Sequence, residues 1–594
     1  MRVIVAEKPK VANKIAYALG ITKRRAFQRR VSVYEDSNNV VIPAVGHIFK
    51  LKSSVKGYGY PVFDISWEEA HKVDKRAYYT KPYIEAFKSY SKEADSIVVA
   101  TDYDNEGSLI GYNVARFIFK GVEPERMKFS TLTAGELKKA YENREGFDYG
   151  NAVAGETRHM VDWFYGINLS RALMQAIKTT GKFRIMSIGR VQGPALAITS
   201  RKEEEIGAFI PEPFWTLSIE IKGQKFTYEG GNIKDEEKAK ELYKKIGKEA
   251  TIVEVKEEEK DVYAPPPFDL TSLQVEAYRV FKISPAKTLQ LAQVLYESSL
   301  ISYPRTSSQK LPPSIGFKKI LEKLREHNKS YSKEAEELLS KGGKLWPRQG
   351  RKEDAAHPAI YPTGVKPTSL EGEEKKLYEL IASRFVALFM PPMKRITTQV
   401  KAETNKLLFK AEGTRVAEKG WSRAVEHLYQ QKEKEIVEFK EGERHKIDKK
   451  GKKKEMTKAP PRYSEASLVK ELEKKGLGTK ATRAVVISTL FARRYLFKGP
   501  GGIHVTDLGM SVYKILSKHV PEIMSEELTR DIEASLEEIT EKPDKQKKVL
   551  DKTKKVLTKI LEKFREDEKE IGKEFVDALS SMREKAIAYS KKKK

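Results

Sequence analysis

Apolar residues run unbroken through VIVA within RVIVA (2–6) and again through IVVA within SIVVAT (96–101). Short continuous runs of this kind predict strands buried on both faces. Val11, Ile15, Ala18 and Leu19 then recur at helical spacing, so a helix follows the first run. The second run passes into DYDNEGSLIGYNVARFIF, a turn leading to an apolar helix. Such strand–helix alternation predicts a mostly parallel sheet with flanking helices. Functional groups in these sheets gather at the carboxyl ends of the strands. Residues 151–206 read as mainly helical, and 214–260 alternate as strands do, for example WTLSIEIKGQKFTYEG. APPPF (264–268) reads as a stiff hinge. Helical patterns fill 269–298 and 370–390, and strand patterns return over 395–440. KKGKKK (449–454) reads as a lysine-rich loop, and APPR (459–462) as a further boundary. The chain thus enters a β region twice, with a largely helical insert between.

A faint repeat overlies this order. SLQVEAYRVFKISPAKTLQLAQVLYESSLI begins at Ser272, and SLVKELEKKGLGTKATRAVVISTLFARRYL at Ser467, 195 residues later. Leu273 aligns with Leu468, Leu295 with Leu490, and Tyr296 with Phe491. Ser284 and Thr479 align as caps of a second helix, and Pro285 takes the favoured first helical position. Each copy predicts helix, turn, helix, the skeleton of a DNA-binding module; two unrelated helix hairpins are the plainer alternative. YLFKGPGGIHVTDLG predicts a hairpin wing after the second copy.

The 594 residues, at roughly 150 per domain, suggest about four domains. Lys and Arg number 112 against 84 Asp and Glu, a formal charge of +28. An ion-pair-rich surface needs balance and does not explain that excess, so a polyanion partner is expected, most simply nucleic acid. With no cysteine there is neither a disulfide framework nor Cys-ligated zinc. No HExxH motif, GxxxxGK[ST] phosphate loop, signal-peptide anatomy or membrane-length apolar run is found. The expectation is a soluble, cytoplasmic, nucleoid-associated protein that does not use ATP.

Three acids, Asp102, Asp104 and Glu106, stand within five residues at a strand-to-helix turn, with Glu7 at the end of the first strand. Carboxylates this close repel unless a cation joins them. Oxygen donors suit Mg²⁺; the plainer alternative is an acidic surface turn. In LISYPRTSS (300–308), Tyr303 precedes a proline and lies two residues from Arg305. It is either the end of an element or a nucleophile whose charge a cation stabilises. Lys8 follows Glu7 directly. His357, in DAAHPAIYPT, reads equally as a core histidine. Arg190, in SIGRVQGPAL, reads equally as a packing cation. A tyrosine that attacks a DNA phosphodiester would conserve the bond energy, which fits the missing phosphate loop.

Ten segments, in order, resemble the type IA DNA topoisomerases, most closely their archaeal and topoisomerase III-like branch. They are VAEKPKVANKIA (5–16), PAVGHIFKL (43–51), ATDYDNEGSLIG (100–111), RMKFSTLT (126–133), RHMVDWFYGINLSRAL (158–173), SIGRVQGPAL (187–196), PPFDLTSLQ (266–274), LYESSLISYPRTSS (295–308), AAHPAIYPT (355–363) and GLGTKATRA (476–484). The resemblance implies a multidomain α/β, α and β fold closed into a toroid. Its parts would be a Toprim domain of Rossmann-like build (1–148), a helical DNA-groove domain with a winged-helix-like module and basic C-terminal helix (149–213 and 458–594), a β arch (214–266 and 394–457), and a lid (267–393). It implies Tyr303 as nucleophile, Glu7 as general acid, Lys8 and Arg305 on the scissile phosphate, and His357 in support. It implies Asp102, Asp104 and Glu106, with Glu7, around Mg²⁺. Arg158, Asp162, Ser170, Arg190, Gln192 and Thr482 would line the strand-binding groove. The implied partner is single-stranded or negatively supercoiled DNA, with RNA and a helicase as further candidates, and the implied state a monomer. A Toprim nuclease or a catalytically impaired single-strand binder are the alternatives. Where the family often has Pro-Asp-Arg-Glu-Gly-Glu, this chain has Tyr-Asp-Asn-Glu-Gly-Ser (103–108); Ser302 and Ser307 replace a threonine and an aspartate. Zinc ribbons found in many relatives cannot form here. The tail, 541–594, instead carries 18 Lys and Arg against 11 Asp and Glu. Val549, Val556, Ile560 and Phe564 predict a helix packed on the body, ending in a KKKK segment that touches DNA.

Overall fold

The computed structural model describes residues 1–327, 329–429 and 432–593, with side chains to residue 581 in the last helix. The KKKK end expected to touch DNA lies outside the described side chains. Among the described residues no helix is long and apolar enough to cross a membrane.

The two apolar runs form adjacent central strands, Arg2–Ala6 and Ser96–Ala100, both almost wholly buried. They pair in parallel, with Ala6 opposite Ala100. Asn39–Pro43 and Pro124–Arg126 extend the parallel set on either side, and antiparallel strands close both edges of a seven-stranded sheet. Glu7, Ala44 and Thr101 therefore leave the sheet at one edge, which is where chemistry is expected. Helix Asn105–Ile118 starts there and packs on the 30-residue helix Tyr149–Lys178.

A second seven-stranded sheet takes strands from 213–262 and from 393–456. The segment read as a lysine-rich loop is a strand, Lys449–Met456, paired antiparallel with Pro213–Glu220. It lies at the sheet's edge. There only one face needs apolar contact, and lysines on the open side deter pairing with another chain. Lysine content therefore concealed a strand.

Between these two groups of strands lie helices Leu270–Phe281, Pro285–Glu297 and Gly372–Ala387. The repeat is real at its first helices: Asp269 with Ser272, and Ser464 with Ser467, form matching capping boxes at the 195-residue offset. It fails at the second. Ser284 caps Pro285–Glu297 through the Lys287 amide, whereas Thr479 caps nothing, because the later helix begins at Arg483. Thr479 instead donates its amide to Thr482 Oγ1 inside a longer turn. The wing forms as expected from Leu496–Gly499 and Gly502–Val505. Helix Gln546–Glu566 buries Leu557, Ile560, Leu561 and Phe564 against helix Tyr149–Lys178, with Val549 and Val556 at the margin.

One apolar cluster runs from the first sheet into the helices that precede Tyr303. It joins Ile4, Val98, Met127 and Leu132 to Leu295, Tyr296, Leu300 and Tyr303.

Candidate active site

The sheet edge and the 295–308 segment meet face to face. Asp104 caps helix Asn105–Ile118 by accepting from the Gly107 amide at 2.8 Å. That leaves its other oxygen, which accepts the Tyr303 hydroxyl at 2.5 Å. Gly107 is required here: a Cβ would stand 2.1 Å from the Asp102 carbonyl oxygen. Arg305 reaches Asp104 at 3.6 Å. Tyr303 is fully buried, its ring edge-on to Tyr296 at 5.2 Å. Burial, then Asp104, push its phenol well above its ordinary value, while Arg305 pulls the other way. Arg305 is in turn held above its ordinary value, first by Tyr303.

Asp102 accepts the Tyr296 hydroxyl at 3.1 Å, and its amide donates to Glu7 at 3.3 Å. Burial, then Glu7 and Asp104, hold its carboxyl well above the usual carboxylate range. Burial also raises Glu7, against the pull of Lys8. Lys8 lies 4.0 Å from Glu7 but 2.6 Å from Glu297, at the end of helix Pro285–Glu297. Fully buried Arg126 donates to the carbonyls of Val99, Thr101 and Asp102, fixing the strand end beneath the acids.

The expected three-acid arrangement is divided. Glu106 turns to His47 and His159, whose Nε2 atoms lie 2.9 and 2.8 Å from its Oε2. Burial opposes ionisation, but the bonds from His159 and His47 hold Glu106 well below its ordinary value. Among the described residues, no set of three ligand atoms within 4.8 Å draws on Asp102 or Asp104.

His357 sits against Tyr303, ring centroids 4.5 Å apart. Its Nε2 faces the Tyr103 carbonyl at 2.9 Å and its Nδ1 the Ser130 hydroxyl at 2.9 Å. A carbonyl only accepts, so Nε2 carries the proton and Nδ1 accepts from Ser130. Burial pushes His357 down to about 4, which agrees with a neutral ring. The Ser130 carbonyl also takes the Tyr303 amide at 2.7 Å.

Of the residues expected to line a groove, three are joined. Arg190 bonds Asp162 at 2.8 Å and Glu533 at 2.9 Å, and Arg158 reaches Glu533 at 3.4 Å. Gln192 opens the helix Gln192–Ala208 beside them, with its Oε1 buried and unbonded. Ser170 turns its hydroxyl back to the Gly166 carbonyl, and Thr482 serves its own turn. Ser307, in the place of an aspartate, takes a carboxylate from elsewhere: Asp354 accepts from its amide and hydroxyl at 2.9 Å and pairs with Lys480. Sequence reasoning passed over Tyr296, Glu297, His47, His159, Asp354, Lys480 and Glu533. Tyr296, His47 and His159 lay inside quoted segments, so their polarity within apolar stretches was the available signal.

The comparisons with known proteins agree with this geometry. A Toprim domain family model matches residues 2–132, and a DNA topoisomerase family model matches residues 147–551. DNA topoisomerase 1 of Methanocaldococcus jannaschii is 43% identical over 98% of this chain and 77% of its own. That of Pyrococcus horikoshii is 42% identical over 96% of this chain and 85% of its own. Full-length topoisomerase I from Thermotoga maritima, a solved structure, superposes with a TM-score of 0.73 at 26% identity, covering 94% of this chain and 90% of the other. The acidic sheet edge lies within the Toprim match, and the tyrosine that meets it lies in the topoisomerase match. This chain belongs to the type IA DNA topoisomerases, with their toroidal core.

Proposed function

We propose that this protein breaks and rejoins single DNA strands through a phosphotyrosine at Tyr303, without ATP, and so relaxes negatively supercoiled or unpaired DNA. The observation that carries the reading is the 2.5 Å hydrogen bond from the Tyr303 hydroxyl to Asp104. It joins a buried phenol on one segment to the acidic edge of a sheet some 200 residues earlier. In the reaction Tyr303 Oη attacks phosphorus, the P–O3′ bond breaks, and the 5′ phosphate stays on tyrosine. The phenol proton leaves along the bond to Asp104. Glu7, raised by burial, holds the proton that the departing 3′ oxygen takes. Arg305, and Lys8 once released from Glu297, balance the phosphate charge. His357, with both nitrogens engaged, positions the Tyr303 ring. Attack by the 3′ oxygen reverses every step.

Asp102 and Asp104, with Glu7 beside them, are the residues that would hold Mg²⁺. Their fit lies in the donor set: crowded buried oxygens that hold Asp102 far above its usual range and suit a hard cation. Bound there, Mg²⁺ would neutralise charge next to the scissile phosphate. Arg158, Asp162, Arg190 and Gln192 would guide one strand, with Ser170 and Thr482 along its path. We read the protein as acting alone on DNA; RNA passage and a helicase partner are further readings of the same site.

The test is negatively supercoiled plasmid with Mg²⁺ and no ATP, comparing wild type with Tyr303→Phe. A ladder of relaxed topoisomers, and a denaturant-trapped adduct at the 5′ end, are expected from wild type alone. Nicked or linear product from both proteins would instead make this a hydrolytic nuclease. Binding without any topological change would overturn catalysis altogether.

A further inference from the structure

Glu106 stands apart from the other acids because three elements converge on it. His47 comes from the turn after strand Asn39–Pro43, where the Gly46 amide bonds the Glu7 carbonyl at 3.1 Å. Glu106 lies in the first turn of helix Asn105–Ile118, and His159 on helix Tyr149–Lys178. Both imidazole Nε2 atoms address the same carboxylate oxygen, and the three ligand atoms lie within 4.8 Å of one another. The rings are tilted by 48°, so their nitrogens approach from different directions. The side chains are 25%, 34% and 32% exposed, sheltered yet open to an ion from solvent.

We infer that His47, Glu106 and His159 form a second cation site, separate from Asp102 and Asp104, that takes a borderline divalent ion such as Zn²⁺. Two neutral imidazoles and a carboxylate are a set that zinc accepts, with a fourth position left for water or another oxygen. Mg²⁺ demands oxygen donors and does not compete well here. Ligand atoms about 2.1 Å from a tetrahedral ion stand about 3.4 Å apart. The two nitrogen–oxygen distances are now 2.9 and 2.8 Å, so the triad needs to open by only about half an ångström. The ion takes the place of the hydrogens between nitrogen and oxygen, which move to solvent or to Nδ1. It would tie the ends of strands Asn39–Pro43 and Ser96–Ala100 to the long helix that carries Arg158 and Asp162. Among the described residues the other grouping of this kind, His519 with Glu570 and Glu574, already holds a cation: Lys518 lies 2.9 and 2.6 Å from the two glutamates.

The test uses the full chain, stripped with chelator, in excess Mg²⁺ and without DNA, so its outcome does not depend on strand cleavage. Zn²⁺ is titrated calorimetrically, and Co²⁺ is followed by the visible absorption of its imidazole-bound form. One equivalent is expected to bind. His47→Gln and His159→Gln, which keep a donor near the Nε2 position toward Glu106, should each weaken binding at least about tenfold. Asp102→Asn with Asp104→Asn, and separately His519→Ala, should leave it unchanged. Melting in chelator checks that each variant is folded. No binding by wild type would overturn the proposal and make the histidines hydrogen-bonding clamps on Glu106. Binding lost with Asp102 and Asp104, or with His519, but kept without His47 and His159, would overturn it as well.

Discussion

Glu7 and His357 are both buried beside the nucleophile, and burial acts on them in opposite senses. It favours the neutral form of each, so Glu7 is raised and His357 lowered to about 4. A raised carboxyl keeps its proton for the leaving oxygen. Glu7→Gln retains the shape and the acceptor toward the Asp102 amide but cannot give up a proton. Cleavage of a single-stranded oligonucleotide is expected to slow by about 10²–10⁴-fold, with binding nearly unchanged; quenched single-turnover reactions and anisotropy measure the two. An equal loss of both would make Glu7 a groove residue. His357 instead leaves a mark on stability. Between its ordinary 6.5 and about 4 the unfolded chain binds a proton that the native ring refuses. Unfolding therefore takes up a proton in this window, and stability falls as pH falls through it. The loss from this group reaches about 3 kcal/mol at pH 4. His357→Asn should be the less stable protein at pH 7, and should close the gap by about that amount at pH 4 in denaturant melts. A gap that stays constant with pH would place the proton elsewhere.

Elements were legible wherever one period dominated. The buried runs at 2–6 and 96–101, the helix after each, and the wing all lie where apolar spacing put them. Strand Lys449–Met456 was concealed because an edge strand needs no apolar alternation, and its lysines mimic a loop. Its partner gives a test at this scale. Lys452 and Lys453 are exposed on the edge, and replacing both with valine preserves strand propensity while removing the charges that discourage pairing. Lys452→Val/Lys453→Val is expected to self-associate more than the wild type, read as a concentration-dependent mass in light scattering, with the melting temperature at low concentration little changed. The helix start at Arg483 was misjudged for a different reason: a threonine in a GT turn looks like a cap, but the turn spends its hydroxyl bonds internally at Thr479 and Thr482. At the site, local motifs held the reacting groups and several of their partners, but not which would meet which. Glu297 against Lys8, Tyr296 against Asp102 and Glu533 against Arg190 each span more than 190 residues, and only the closed fold makes them neighbours.

Long-range pairs of this kind join the 267–393 segment to the rest of the chain along two seams. On one seam Tyr303, Tyr296, Arg305 and Glu297 face Asp104, Asp102 and Lys8, over the apolar cluster shared by the sheet and the helices before Tyr303. On the other, Lys480 pairs with Asp354, and Lys352 and Thr271 meet Glu473 at 3.1 Å. On the proposed reaction DNA reaches the buried tyrosine only when the first seam parts, and a swing of the 267–393 segment, proposed as a lid, would part the second as well. The contacts of the second seam make no hydrogen bond to Tyr303, Glu7 or Arg305, so they bear on the opening equilibrium more than on the attack itself, although Asp354 and Lys480 also act on His357 by charge. Removing Lys480 and Lys352 leaves Asp354 its bonds from Ser307 and the Ala356 amide, and leaves Asp269, which also loses Lys352, its bonds from Gln309 and the Ser272 amide, so the segment is expected to stay folded. With about 1–2 kcal/mol withdrawn from the closed state, the open fraction of Lys480→Met/Lys352→Met should rise about 5–30-fold. The chain has no cysteine, so Lys319→Cys and Lys474→Cys alone carry a dye pair across the seam for single-molecule energy transfer. A rise in the low-transfer population, with the rate of oligonucleotide cleavage at saturating enzyme unchanged, is the expected result. An unchanged population would mean that the first seam alone holds the segment, and that the shared apolar cluster outweighs every ion pair opposite it.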